Sequence, residues 1–193
     1  MISAIVLAAG QSTRMGQQKM LLPWGQTTVI GKIVSSILEA GVHDIHVVTG
    51  GSHNELENAL KESKIDFIFN KDYSNGEMLT SIQVGLRSAG VEPEAALVVL
   101  GDQPQIESNI VQAIVDRYQS THHTIIVPSY NMHRGHPWLI VKSYWKEIYD
   151  LMPPQTLRDF LNIHNEIIDY IKVDTPSVIQ DLDTQNDYSA YKP

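Results

Sequence analysis

Two cations, two hydroxyls and two glycines crowd one short stretch directly behind the first apolar run. It reads Leu7, Ala8, Ala9, Gly10, Gln11, Ser12, Thr13, Arg14, Met15, Gly16, Gln17, Gln18, Lys19. Small residues let a phosphate approach the backbone, where successive N–H groups form an anion-binding nest. Arg14 offers a planar fork for non-bridging oxygens and Lys19 a point charge. The chemistry indicated is the holding of a polyphosphate. The familiar spacings do not fit. A Walker loop needs Gly and Lys at other intervals, the dinucleotide fingerprint G-x-G-x-x-G is absent, and Arg14 stands where a G-x-S-x-G elbow needs its second glycine, so Ser12 is no elbow nucleophile. The plain alternative is a generic strand-to-helix turn with two surface cations.

The elements that must position this loop alternate along the chain. Ile2–Ala8 is a continuous apolar run, as in a strand buried on both faces. Residues 28–40 place Val29, Ile30, Ile33, Val34, Ile37 and Leu38 on one helical face, with Gly41 as the cap. Further strands are expected at 45–49, 66–69, 95–100, 124–127, 138–141 and 167–173. Further helices are expected after Ser52 and Glu55, which are spaced as a capping box, at 78–88, around Ile110 to Tyr118, and after a second box at Thr156 and Asp159. A polar tail closes the chain. Strands alternating with helices predict an α/β fold: a doubly wound, mostly parallel, Rossmann-like sheet with helices on both faces, and 193 residues favour one domain. In such sheets ligands sit beyond the carboxyl ends of the strands. The loop after Ala8, the segment Gly101 to Pro104 and the segment Asp181 to Asp183 fall at such positions.

The string L-A-A-G-x-S-x-R-M-G-x-x-K, set directly after the first strand, resembles the signature of the MobA-like nucleotidyltransferase superfamily. Three further segments agree in order. Gly101, Asp102, Gln103 and Pro104 match its second signature, and Arg134, Gly135, His136 and Pro137 resemble the R-G-H-P of the molybdenum cofactor cytidylyltransferase branch. The run from Asp181 to Tyr188 resembles a closing D-I-D-T-P-x-D-Y, with Gln185 where that branch has proline. The resemblance implies attack by a substrate phosphate on the α-phosphorus of a nucleoside triphosphate, with release of pyrophosphate. A phosphate monoester is already anionic at neutral pH, so catalysis is positioning and charge neutralisation.

On that resemblance Arg14, Lys19 and Asp102 are the catalytic residues, and Asp102 and Asp183 hold Mg2+. Leu7, Ala8, Ala9, Gly10, Gln11, Ser12 and Gly16 cradle the nucleotide, with Gly76, Thr80 and Ser81 near base and ribose. Gly135 and His136 face the acceptor, His136 having the other role of fixing the loop before Trp138. Ala9 and Gln103 favour CTP over GTP, since the guanylyl branch carries L-A-G-G. The acceptor implied is a molybdopterin-type phosphate, and the partner a molybdenum hydroxylase apo-enzyme. A different base or acceptor, or an accessory role in cofactor delivery, are the competing readings.

Composition narrows the field. A net charge of -8 makes the chain a poor general binder of nucleic acid or anionic membrane. The absence of cysteine excludes disulfides, thiolate zinc and a thiol nucleophile. No run is long enough to span a bilayer and the first residues lack a signal-peptide pattern, so the expected location is cytoplasmic.

Overall fold

A computed structural model describes residues 1–12, 15–61, 63–75 and 78–193. Arg14 and Gly76, both expected at the site, lie outside the described residues. In chain order the elements are β1 (Ile2–Ala8), a small hairpin of β2 (Pro23–Trp24) and β3 (Thr27–Thr28), α1 (Val29–Glu39), β4 (Asp44–Thr49), α2 (His53–Ala59), β5 (Asp66–Phe69), α3 (Met78–Ser88), β6 (Ala95–Leu100), α4 (Ser108–Thr121), β7 (Ile125–Tyr130), β8 (His133–Arg134), β9 (Trp138–Val141), α5 (Trp145–Asp150), α6 (Leu157–Ile163), β10 (Ile168–Lys172) and α7 (Gln185–Tyr191).

The main sheet has the order β10-β7-β9-β6-β1-β4-β5, with β8 paired to β7. Pairs β1–β4, β1–β6, β4–β5 and β7–β10 are parallel. Strand β9 runs antiparallel to both β6 and β7, and β8 is antiparallel to β7. The sheet is therefore mostly parallel and covered on both faces. Alternation along β1 sends Ala4, Val6 and Ala8 into one core with Ile30 and Ile33 of α1 and Ile110 and Ile114 of α4. Ile5 and Leu7 enter the other core with Leu79, Ile82 and Leu86 of α3, Ile148 of α5 and Phe160 of α6. Burial on both faces explains why β6 reads as an unbroken apolar run and β1 as one interrupted only by Ser3.

Local chemistry sets most element ends. Thr28 caps α1 by accepting from the Gly31 N–H, and Gly41 takes φ +78° just beyond it. Thr156 and Asp159 form the expected capping box. The box expected at Ser52 and Glu55 does not form: Ser52 sits at φ -102°, ψ 32°, outside the extended conformation an N-cap needs, and its side chain caps nothing. The expected polar tail is also corrected. Thr184 and Asp187 make a capping box that opens α7, Tyr188 is buried, and its hydroxyl donates to the Pro23 carbonyl over 2.6 Å. Gln185 is the first residue of this helix, a position where proline is well tolerated, which accounts for the difference from the signature. No helix of the described residues is long and apolar enough to cross a membrane.

Candidate active site

The carboxyl ends of β1 and β6 lie side by side. The Gly101 N–H donates to the Leu7 carbonyl over 3.0 Å, and a Cβ at Gly101 would sit 2.6 Å from that oxygen, so only glycine lets the two strand ends meet. Behind Leu7, Ala8 and Ala9 are buried and Gly10 is exposed, with open space beside it. The loop then closes on itself through Ser12, whose backbone takes φ +50°. Its carbonyl accepts from the Met15 N–H at 3.0 Å, its hydroxyl donates to Gln18 at 2.7 Å, and its oxygen accepts from the Lys19 N–H at 3.2 Å. Gly16, at φ +66°, completes the turn. The Ser12 hydroxyl thus shapes the loop from within, while Gln11 ties it to the Ser74 carbonyl at 3.4 Å.

That clasp carries Lys19 inward. It is buried, at 8% exposure, and so is not the surface cation of a generic strand-to-helix turn. Its Nζ lies 2.6 Å from Asp102 Oδ2 and 3.5 Å from Asp183 Oδ1, so carboxylates from distant parts of the chain meet on one ammonium. Asp102 follows β6, and the Leu182 N–H donates to the Asp102 carbonyl over 2.9 Å, stitching the closing segment alongside. Asp181 is the third carboxyl here. Burial pushes it above the usual carboxylate range, the neighbouring Asp102 and Asp183 charges add to this, and a 2.7 Å bond from Gln103 Nε2 opposes it. Two carboxylates on one ammonium, with a third carboxyl near enough to feel their charge, make this an oxygen-rich, acidic cluster.

Thr80 and Ser81, at the start of α3, both accept from Asn70 Nδ2, at 3.2 and 3.0 Å. Asn70 is itself buried and donates its N–H to the Thr49 carbonyl at the end of β4. These hydroxyls stand at the same edge of the sheet as the loop after β1, on the side of β4 and β5.

On the other side of β6 opens a cleft of about 1190 Å³, lined by Leu79, Leu100, Gln103, Trp138, Arg158 and Asp181 among others. His136 lines it too, stacked on Trp138 with ring centroids 4.0 Å apart and its backbone N–H donating to the Val178 carbonyl at 2.8 Å. Burial of the ring pushes its pKa down to about 3, so it is neutral at physiological pH. Gly135 packs so closely on Val178 that a Cβ would come within 2.5 Å. Arg134 is engaged by Tyr170, Asn162 and Asn165, a structural brace. Sequence reasoning named Gly135 and His136 in this region but not Arg158 or Thr156. Both lie on α6 or at its cap, where no local signal marks a binding surface.

Residues 4–168 match the family model of the MobA-like NTP transferase domain. The chain is 31% identical over 192 residues to the molybdenum cofactor cytidylyltransferase of Escherichia coli strain K12, covering 99% of this chain and 95% of that one. Among solved structures it is similar to Rv0371c from Mycobacterium tuberculosis H37Rv, at 26% identity and a TM-score of 0.86, covering 98% of this chain and 96% of the other. It is also similar to the manganese complex of that protein, at 25% identity and a TM-score of 0.79, with the same coverage.

Proposed function

On the premise that this chain belongs to the MobA-like NTP transferase family and is a nucleotidyltransferase, we propose that it transfers a cytidylyl group from CTP to the phosphate of a molybdenum-pterin cofactor. The observation that carries the reading is the meeting of Lys19, Asp102 and Asp183 beside the Gly10 loop, with a roomy cleft next to them. In this reading the triphosphate lies over the loop of Leu7, Ala8, Ala9, Gly10, Gln11, Ser12 and Gly16, and Arg14 and Lys19 neutralise its oxygens. Gly76, Thr80 and Ser81 border base and ribose. The acceptor enters the cleft past Gly135 and His136, where the neutral imidazole and Trp138 offer a flat, uncharged wall.

The acceptor phosphate attacks the α-phosphorus, the new P–O bond forms, and the bond to the β-phosphate oxygen breaks to release pyrophosphate. The nucleophile is already an anion, so the chain's task is to orient it and to offset charge. Asp102 and Asp183 would hold Mg2+, which supplies neutralisation of the triphosphate and polarisation of the α-phosphorus when bound. Lys19 keeps both carboxylates aimed at one point before any ligand arrives. The recipient of the product, in this reading, is a molybdenum hydroxylase apo-enzyme.

The test is turnover with each of the four nucleoside triphosphates and molybdopterin, followed by pyrophosphate release. CTP with magnesium is expected to be used. A preference for GTP removes the cytidylyl assignment, and release that needs no molybdopterin removes the acceptor.

A further inference from the structure

The amino-terminal edge of the sheet, about 16 Å along β4 from the nucleotide loop at the usual rise per residue, carries an arrangement that the proposed reaction does not use. Ser3 pairs with Asp44 across β1 and β4, and His46 pairs with Asp66 across β4 and β5. Alternation puts Asp44 and His46 on one face of β4, so the register brings four polar side chains together beneath the end of α3.

The hydrogen bonds there fix a tautomer. The Ser88 hydroxyl donates its single hydrogen to the Gly85 carbonyl at 2.7 Å, and its oxygen lies 3.3 Å from His46 Nδ1. Nδ1 must therefore carry a hydrogen and donate it to Ser88. In the neutral ring Nε2 is then a bare lone pair. His46 is 4% exposed, and its Nε2 has no hydrogen-bond partner. What faces it is Asp44 Oδ1, 3.2 Å away, another lone pair; Asp44 Oδ2 already accepts from the Ser3 hydroxyl. Nε2 and Asp44 Oδ1 are two acceptors held close without hydrogen-bond geometry, and Asp66 Oδ2 lies 3.8 Å from Nδ1, so the buried ring sits between two carboxylates that a cation would balance.

We propose that Asp44, His46 and Asp66 form a second cation site, separate from the nucleotide cleft, that takes a divalent ion of borderline hardness such as Zn2+. One ligand atom from each residue lies within 4.8 Å of the others. Tetrahedral zinc with bonds of roughly 2.0–2.2 Å sets ligand pairs about 3.4 Å apart, so Asp66, which lies 3.8 Å from Nδ1, must swing round to the Nε2 side to close the set. Its side chain is 73% exposed and has that freedom, and it opens the ion's path from solvent. One imidazole with two carboxylates favours zinc or manganese over magnesium, which seeks oxygen and keeps its water. The relay from His46 to Ser88 to the Gly85 carbonyl orients the ring from behind, as such partners do for metal-bound histidines. The ion would tie β4 to β5 at the end of the sheet away from the chemistry.

The test is calorimetric titration of the chelator-stripped protein with ZnCl2, at a pH of about 8, where imidazole is neutral. Wild type, Asp66→Asn and Asp102→Asn are compared, each with its thermal melt. Asp66→Asn removes one exposed ligand and leaves the buried His46 in place, so the variant folds. The expected result is a zinc site of wild-type affinity in Asp102→Asn, weakened at least tenfold in Asp66→Asn, together with a zinc-dependent rise in melting temperature lost in Asp66→Asn alone. Equal zinc affinity in wild type and Asp66→Asn, or binding lost only in Asp102→Asn, overturns the proposal. So does the absence of zinc binding.

Discussion

Replacing Lys19 by alanine should cost stability as well as turnover, and the size of the loss follows from its surroundings. The ammonium is 10% exposed and 2.6 Å from an Asp102 carboxylate that is 20% exposed. Removing one partner of a fully buried pair costs roughly 3–5 kcal/mol. The partial hydration left to Asp102 and the greater exposure of Asp183 bring the expectation to about 2–3 kcal/mol, the range of a charge-assisted hydrogen bond. For a chain of this length each kcal/mol moves the melting temperature by about 2–4 °C, so Lys19→Ala should melt about 4–12 °C below wild type by scanning calorimetry. The loss comes from unneutralised carboxylates. The double variant Lys19→Ala/Asp102→Asn should therefore recover part of it, with a coupling of about 1 kcal/mol or more. Magnesium should raise the melting temperature of Lys19→Ala more than that of wild type, because the divalent ion meets two carboxylates that no longer have their ammonium. A Lys19→Ala protein that melts within 1 °C of wild type, or a double variant no more stable than the single one, would refute the claim that this lysine holds the cluster together.

Four shorter predictions accompany it. Asp102→Asn and Asp183→Asn keep shape and remove charge, so each should abolish most pyrophosphate release while circular dichroism stays unchanged, and manganese should restore part of the rate. Arg14→Ala should lower turnover about ten- to a hundredfold without changing the melting temperature, as fits loss of one charge-assisted phosphate contact. Calorimetric titration with magnesium should show tighter binding of CTP than of GTP; equal affinity counts against the role given to Ala9 and Gln103. His136 is neutral when folded, with a pKa of about 3 against 6.5 when unfolded. The unfolded chain therefore takes up the proton first, and stability should fall as pH drops below about 6.5, continuing toward 3. Urea denaturation at stepped pH should show this decline weakened in His136→Asn.

What could be read in the sequence was what neighbouring residues decide. Met78–Ser88, Ala95–Leu100 and Trp138–Val141 have the bounds their periodicity predicts, because burial on one or two faces leaves a direct imprint on residue order. The loop after β1 stood out because its glycines, hydroxyls and cations are contiguous. The burial of Lys19 was not, since it depends on Asp102 and Asp183 arriving from elsewhere in the chain. Helix α7 was missed because it buries little beyond Tyr188, so its apolar stripe is too thin to register, although Thr184 and Asp187 carry a capping pattern. Ser52 failed the other way: the spacing was present and the backbone was not in the conformation that uses it. The histidine cluster under α3 is invisible along the sequence, because strand register alone brings Ser3, Asp44, His46 and Asp66 together.

The hydrogen bond from the Leu182 N–H to the Asp102 carbonyl has a consequence in time. A ribosome delivers Lys19 early, Asp102 midway and Asp183 late, so the carboxylate pair stays half made until the closing segment is out. Until residue 183 has left the exit tunnel, the Lys19 ammonium has only one of its two carboxylates beside it. The cluster is then completed in one step, when the closing segment settles against the end of β6, and synthesis itself serves as the timer.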